Sequence, residues 1–492
     1  MSGALSEALE QACRRFGSAP ALAGDSTPLD YTQLLDAAHA VASLLASAGL
    51  EADEPVHVRV SNRPLDIVAL FGVWLAGGVV VATHRNTPAA IAAALRQRTQ
   101  ARFLLDLESE PVDAASLATL TTDRPAQRAL LDGAALIIFT SGSTGAPKGV
   151  VLSHAALHGK IAQIDSLLGF NADDRTLLVL NLSFAFGLWL SLLTLLRGGT
   201  LVMSQKFEPE SFLQTLFRER ITRVGMVPTM MRLVFADTRH EAMIDRVAQQ
   251  GPLRQILIGG ESLGLSLARS IRARFMSTEL IDIYGLTETS TCDFFAFPRD
   301  AAPFPGCVGR PSPGVRYRIV DAQGRAVDAA AVGELQIRSP YLMQGYLDAP
   351  ELSAASFSDG WLMTGDLARE RAEQVVELMG RLKEVISRGG NKVTPVEIEQ
   401  ALCSHADVAA ALAVGMADAL LGERIHVLIV PRCDARLELE TLRQHLASRL
   451  ERFKQPDAFY LADALPLGHT GKADRGQFKA LLEAGTLAPT TR

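Results

Sequence analysis

The sequence predicts an α/β protein in which a large N-terminal domain of mostly parallel α/β sheets plus a β segment precedes a small α+β C-terminal domain. Short apolar runs alternate with helix-length amphipathic segments up to about residue 300, and β-rich runs interrupted by Gly and Pro follow. At 492 residues the chain also exceeds what one hydrophobic core usually supports. We therefore expect domains over residues 1–380 and 385–492, with the boundary at 381–384.

Two uncharged stretches, 67–83 and 176–196, are interpreted as soluble core rather than membrane spans. Gly77-Gly78 interrupts the first, which we divide into a helix, a glycine turn and a strand. Buried strands of parallel sheets have continuous apolar runs of this kind. Helices are predicted at 31–48, from about 187 to the glycines 198–199, at 209–219 and at 395–402. Strands are predicted at 56–60, 79–81, 135–139, 176–180, 201–203, 223–227, 255–258, 280–284, 317–320, 333–337 and 426–430.

Composition excludes several classes of function. The net charge of −6 gives no basic surface for nucleic acid or anionic lipid, so an anionic ligand must be bound by a local site. The five cysteines are scattered and nowhere spaced as Cys-x-x-Cys, so neither a disulfide framework nor a zinc site is indicated. The first residues lack the apolar core of a signal peptide, and we expect a cytoplasmic protein.

The strand at 135–139 ends abruptly in a stretch rich in Gly, Ser and Thr that closes with Lys148. Glycines let a backbone approach a polyanion, hydroxyls add donors and a lysine adds charge, so this stretch is interpreted as a phosphate loop, with a helix starting near Ser153. The spacing fits neither a Walker A loop nor a dinucleotide fingerprint. Taken alone, it could also be a flexible surface loop. Its phosphate-binding candidates are Thr140, Ser141, Gly142, Ser143, Thr144, Gly145 and Lys148.

Three further motifs carry chemistry. Tyr284 to Glu288 follows a predicted strand, with Asp282 two residues earlier, and this set could stack on a purine, accept a bond from its amine and hold Mg²⁺. Asp366 and Arg381 could bind ribose or phosphate. Lys472 follows a glycine near the C-terminus. Each signal alone is equally typical of turns or solvated side chains.

In this order along the chain, the motifs resemble those of the adenylate-forming superfamily: acyl-CoA synthetases, adenylation domains and firefly-type luciferases. The resemblance extends from Leu29 to about Lys479 and includes the Gly259-Gly260-Glu261 turn. It implies that an acid and Mg-ATP form acyl-AMP, and that the acyl group then passes to a thiol. A positively charged and metal-assisted site must bring two anions together for the first step.

The resemblance also implies roles for individual residues. Lys472 would bridge the carboxylate and the α-phosphate, Thr287 would donate to that phosphate, and Glu288 would ligate Mg²⁺. The C-terminal domain would swing about Lys383 between the two steps, bringing Gly389 and Gly390 to a passage for the thiol. Asp366 and Arg381 are expected to fix the ribose. The adenine is expected to contact Tyr284, Asp282, Gly260, Glu261 and Ser262, with Gly285 also in the nucleotide site.

The acyl pocket is expected near Phe184, where many relatives carry a histidine. The chain also lacks the nearby aspartate that pairs with an amino-acid substrate, so an α-amino acid is disfavoured. The aromatic and apolar side chains indicate a fatty or aryl acid, although they could equally be core. The pocket candidates are Phe184, Phe186, Trp189, Met226 and Val227.

Three functions remain open from the sequence. The first is an ATP-dependent acyl- or aryl-CoA ligase, the second an enzyme that loads the phosphopantetheine of a carrier protein in trans, and the third a catalytically silent nucleotide-binding module. The intact Lys472 and Glu288 argue against the third.

Overall fold

The computed structural model describes residues 3–24, 27–108, 114–140, 147–328, 330–371, 374–432, 435, 437–468 and 473–490. Two large sheets, two smaller sheets and surrounding helices make up this part of the chain. The main helices are Ala4–Phe16, Tyr31–Ser47, Pro64–Leu75, Ala89–Thr99, His154–Leu168, Ala185–Leu196, Pro209–Arg218, Pro228–Ala236, Glu241–Gln250, Leu265–Arg274, Pro395–Cys403, Leu439–Ala447 and Arg475–Glu483, with the short helices Pro298–Ala301 and Pro350–Ala355.

The first large sheet has nine strands, most of them parallel. Its parallel strands end at one edge of the sheet. The predicted motifs at 259–262 and 282–288 lie at this edge, at the ends of two neighbouring parallel strands. In spatial order its strands are Arg310–Pro311, Phe294–Ala296, Glu279–Tyr284, Gln255–Gly259, Arg223–Met226, Arg175–Leu178, Thr200–Met203, Pro20–Gly24 and Leu29–Asp30.

The second large sheet has seven strands with a parallel centre. The strand Ala134–Thr140 pairs antiparallel with Lys148–Ser153, a strand that the sequence analysis does not predict. The predicted helix start is confirmed, because the Ser153 hydroxyl accepts the Ala156 N–H at 3.1 Å as an N-cap. In spatial order the strands are Gly345–Tyr346, Lys148–Ser153, Ala134–Thr140, Val79–His84, Pro55–Val60, Phe103–Leu105 and Leu117–Thr119.

One continuous hydrophobic core contains residues of both large sheets and of the helices packed on them. The helices Pro64–Leu75 and Ala185–Leu196 are apolar on nearly all faces because neighbours cover them all round. Gly72 allows the close approach of Tyr31–Ser47, since a Cβ atom there would lie 2.4 Å from Cβ of Val41. No helix in the described ranges is long and apolar enough to cross a membrane.

The two smaller sheets follow in the chain. The first is antiparallel, as predicted for the β segment, and contains Arg316–Val320, Gly333–Arg338, Phe357–Ser358, Trp361–Glu370 and Val376–Arg381. A short turn of 3₁₀ helix, Leu382–Glu384, leads to the second, which has its own hydrophobic core. Its strands are Ile386–Arg388, Asn391–Val393, Val408–Asp418, Gly422–Pro431 and Ala458–Leu461. The predicted mixed α/β fold class is therefore confirmed.

Candidate active site

Two neighbouring parallel strands bring the predicted adenine residues to one edge of the nine-stranded sheet. Asp282 lies opposite Ile258, and both strands end within two residues. Gly259 allows this close pairing, because a Cβ atom there would lie 2.4 Å from the Ile283 carbonyl oxygen. The turn at 260–262 and the segment that begins at Tyr284 therefore leave the sheet side by side. Burial raises the pKa of the half-buried Asp282 to about 7, although the Ile283 N–H and Arg272 partly oppose this shift.

A second set of side chains joins this edge to the smaller antiparallel sheet. The Tyr284 hydroxyl donates to one carboxylate oxygen of Asp366 at 2.6 Å, and Arg381 Nε lies 3.0 Å from the other. Asp366 and Arg381 face each other because their strands pair in that register. Asp366 is 4% exposed, and its burial raises its pKa against the opposing effect of Arg381. Tyr284, Asp366 and Arg381 are named here the ribose triad after the role predicted for Asp366 and Arg381. Tyr284, which was assigned to the adenine, lies in direct contact with Asp366.

Glu288 lies on the same connection as Tyr284 and faces the seven-stranded sheet. Its Oε1 atom accepts the Tyr346 hydroxyl at 2.9 Å, and Lys148 Nζ lies 5.1 Å from the centre of the Tyr346 ring. Burial and the neighbouring Glu288 raise the pKa of Tyr346. Tyr346 was not among the sequence candidates. Its signal was the Gly345-Tyr346 pair in a β-rich segment, which does not by itself indicate a partner 58 residues away.

The phosphate loop connects two paired strands. Thr140 and Lys148 lie opposite each other at its two ends. The candidates Ser141, Gly142, Ser143, Thr144 and Gly145 lie outside the described residues, as does Lys472. Their roles stay predictions.

The segment that follows Lys472 contacts the adenine side of the site. The Ala473 N–H donates to Glu261 Oε1 at 3.2 Å, and the Thr229 hydroxyl donates to the other oxygen of Glu261 at 2.8 Å. Ser262 is exposed beside this contact.

The predicted hinge and thiol passage lie at the start of the C-terminal part. Lys383 occupies the 3₁₀ turn, and burial together with Arg381 lowers its pKa. Gly389 and Gly390 form the turn between two short strands, with φ of +55° and +82°, which favours glycine. The Gly389 N–H donates to the Leu421 carbonyl at 2.7 Å, a contact within the C-terminal part itself.

The acyl candidates divide between two hydrophobic cores. Phe186 and Trp189 stack with ring centroids 5.4 Å apart and an angle of 3° between the rings. Phe184 and Phe186 are half-buried, while Trp189 and Val227 are buried in the core between the sheets. Met226 is fully buried in a second core, on the other face of its sheet. A cavity of about 10 Å³ beside Trp189 is also lined by Ser290 and Thr291, close behind Glu288 in the chain.

Glu288 fits a magnesium site of the kind that substrate phosphates complete. Mg²⁺ commonly takes one or two protein carboxylates together with phosphate oxygens and waters. Within the described ranges, no group of three or more His, Cys, Asp or Glu side chains is arranged to hold a metal ion by itself.

The strand ends at Gly259 and Tyr284, the buried Asp366 between Tyr284 and Arg381, and Lys148 are the arrangement expected of a site for an adenine nucleotide. Comparisons with known proteins identify the family of the chain. The family model described as AMP-binding enzyme matches residues 9–347, and that of the AMP-binding enzyme C-terminal domain matches residues 397–472. The chain belongs to the AMP-binding enzyme family.

Several similar proteins are CoA ligases that this chain matches over two thirds or more of their length. Indoleacetate–CoA ligase of Aromatoleum aromaticum is 33% identical over 72% of this chain and 69% of its own length. Feruloyl-CoA synthase of an Amycolatopsis species is 29% identical over 94% of this chain and 95% of its own. The crystal structure of an anthranilate CoA ligase in complex with anthranoyl-AMP superimposes with a TM-score of 0.87 at 22% identity, covering 98% of each chain.

The predicted superfamily is confirmed by these findings. The predicted enzyme class, an AMP-forming acid–thiol ligase of the acyl-CoA synthetase type, is confirmed as well. The domain boundaries and the role of each site residue stay predictions.

Proposed function

We propose that this enzyme activates an aromatic carboxylic acid with ATP and transfers the acyl group to CoA, using the residues described above. One observation carries the proposal. The connection that follows Tyr284 places Glu288 close behind the ribose triad, and Lys148 lies beside Tyr346, the hydrogen-bond partner of Glu288. Similar proteins named for indoleacetate, ferulate and anthranilate support an aromatic acid. The half-buried Phe186, stacked on the buried Trp189, offers such a ring a planar apolar surface.

In the first step a carboxylate oxygen of the acid attacks the α-phosphorus of ATP, and the bond to pyrophosphate breaks. Two anions must approach each other, so the site has to supply positive charge and donors. We assign this to Lys472 and Thr287, with Lys148 and the phosphate loop holding the departing pyrophosphate. Mg²⁺ held by Glu288 and the phosphates would neutralise charge on the leaving group. The contact between Ala473 and Glu261 supports the delivery of Lys472 to this side.

In the second step the CoA sulfur attacks the acyl carbonyl carbon, the thiol proton is lost to solvent, and AMP leaves. Lys472 would occupy space that the thiol needs, so one arrangement could hardly serve both steps. We assign the change to rotation about Lys383, which would carry the turn at Gly389-Gly390 to the site. Two adjacent glycines without side chains would leave room for a narrow pantetheine arm.

The test uses the purified protein, Mg-ATP and a panel of aromatic, medium-chain fatty and α-amino acids, with pyrophosphate release as the readout. We expect release with aromatic acids, and formation of a thioester when CoA is added. Thioester formation only on a phosphopantetheinylated carrier protein would contradict the CoA assignment. A preference for aliphatic acids would contradict the aromatic assignment, and no release with any acid would contradict the activity itself.

A cytoplasmic location is also proposed. It is supported by the assigned reaction, which consumes ATP and CoA, two substrates found inside the cell.

A further inference from the structure

A fully buried ion pair lies beneath the connection that carries Thr287 and Glu288. Lys160 Nζ is 3.0 Å from Asp293 Oδ1 and 3.3 Å from the Ser312 hydroxyl, and both charged side chains are 0% exposed. Lysine and aspartate are almost never fully buried unless they are paired. Neither residue belongs to the motifs that indicate the nucleotide site, although the pair joins the helix His154–Leu168 to the end of that connection.

Asp293 closes the connection at its base. Its N–H donates to the Tyr284 carbonyl at 2.7 Å, and its carbonyl accepts the Ser312 N–H at 2.7 Å. Its second carboxylate oxygen also contacts the hydroxyl of Thr289, the residue next to Glu288. One side chain therefore links the lysine to both the base of the connection and the turn that presents Thr287 and Glu288.

The connection has a backbone that needs such support. Ser290, Thr291 and Cys292 have φ of +58°, +74° and +53°, a left-handed run of three side-chain-bearing residues that includes a β-branched one. Such conformations persist only where the surroundings fix them. The run also packs tightly against Gly285, where a Cβ atom would lie 2.1 Å from the Cys292 nitrogen.

We propose that Lys160, acting through Asp293, is a positioning residue that holds Thr287 and Glu288 toward Mg-ATP. The inference rests on the proposed roles of those two residues. Removing the ammonium group leaves a buried carboxylate without its charge partner, and the strained run can then relax. Glu288 and Thr287 move with it, because Thr289 follows them directly and contacts the same carboxylate.

The test compares Lys160→Met with a control pair elsewhere. Arg102 and Glu54 form another buried ion pair, 8% and 3% exposed and 2.6 Å apart, at the amino-terminal ends of strands in the seven-stranded sheet. The readout is the Mg²⁺ concentration that gives half-maximal pyrophosphate release, measured well below each variant's melting temperature. We expect Lys160→Met to raise it about tenfold, as loss of outer-shell support commonly does, while Arg102→Met loses stability but keeps the wild-type value.

A double variant separates positioning from stability. Lys160→Met with Asp293→Leu removes both charges and is expected to regain stability while keeping the raised Mg²⁺ requirement. A wild-type Mg²⁺ requirement in the double variant, or in the folded single variant, would overturn the inference. Glu288→Gln is the reference for the proposed function: an unchanged Mg²⁺ requirement in this variant would overturn the metal assignment of Glu288, whatever Lys160→Met does.

Discussion

The nucleotide side and the acyl side of the site are built from different interactions. On the nucleotide side, directed hydrogen bonds and ion pairs fix each polar group, as Tyr284 and Arg381 do for Asp366. On the proposed acyl side, the half-buried Phe186 is held by stacking on the buried Trp189. Directed bonds specify one ligand geometry, whereas apolar packing tolerates related shapes. A nucleotide side of fixed geometry can thus be combined with an acyl side that accepts related shapes.

The largest expected effect concerns the lysine that would join the two sides. Lys472→Ala should lower pyrophosphate release by about 100- to 1000-fold, as loss of a group that stabilises transition-state charge commonly does. Thioester formation from supplied acyl-AMP and CoA should stay near the wild-type rate, because the lysine is assigned to the first step only. Equal loss of both half-reactions, measured side by side, would contradict the two arrangements proposed for the C-terminal part.

Next in size is a change confined to the nucleotide side. Asp366→Ala leaves the Arg381 charge and the Tyr284 hydroxyl without their shared partner, and we expect KM for ATP to rise about 10- to 100-fold. KM for the acid should change by less than about twofold, because all of the bonds that are lost lie on the nucleotide side. Steady-state kinetics with each substrate varied in turn gives both values.

Asp300→Ala is the matched control for this variant. Asp300 is also 4% exposed and lies 2.9 Å from an arginine, Arg310, but it is not in the ribose triad. If both variants raised KM for ATP to the same extent, general destabilisation rather than ribose contact would explain the result.

A smaller change is expected on the acyl side. Phe186→Ala removes one of the two stacked rings, and KM for an aromatic acid should rise about tenfold while KM for ATP stays constant. Phe207→Ala is the control, because Phe207 is another half-buried ring, tilted against Phe212 at 5.4 Å in the second core. An unchanged KM for the acid would assign Phe186 to the core rather than to the pocket.

The last and smallest expected effect is a change in stability with pH, caused by the titration of Asp282. Its pKa is raised from 3.8 to about 7 by burial, so between these values the folded protein holds a proton that the unfolded chain has lost. Wild-type stability should therefore fall as the pH rises from 4 to 7, relative to Asp282→Asn, which does not titrate. Urea unfolding should show a relative gain for the variant of about 1 to 3 kcal/mol at pH 8. Parallel stability curves for the two proteins would contradict this assignment.

Local signals in the sequence predicted what local structure determines. Ser153 caps a helix as expected, and the aspartate at 366 meets the arginine at 381 across adjacent strands. Direct contacts between distant segments were not predictable from local patterns, because they depend on sheet order and register. Tyr346 reaches Glu288 only once Gly345–Tyr346 pairs beside Lys148–Ser153. The strand Lys148–Ser153 gives a weak signal in the sequence, because its apolar run is short and directly follows a glycine-rich stretch.

In the proposed mechanism, one nucleotide lies between the ribose triad and Glu288, and its acyl group is directed to the stacked rings. A crystal structure with a non-hydrolysable analogue of an aromatic acyl-AMP tests it most directly. We expect the ribose hydroxyls about 3 Å from the Asp366 carboxylate and the aromatic ring of the acid against Phe186 and Trp189. A nucleotide bound elsewhere, with Asp366 contacting only Tyr284 and Arg381, would contradict the account.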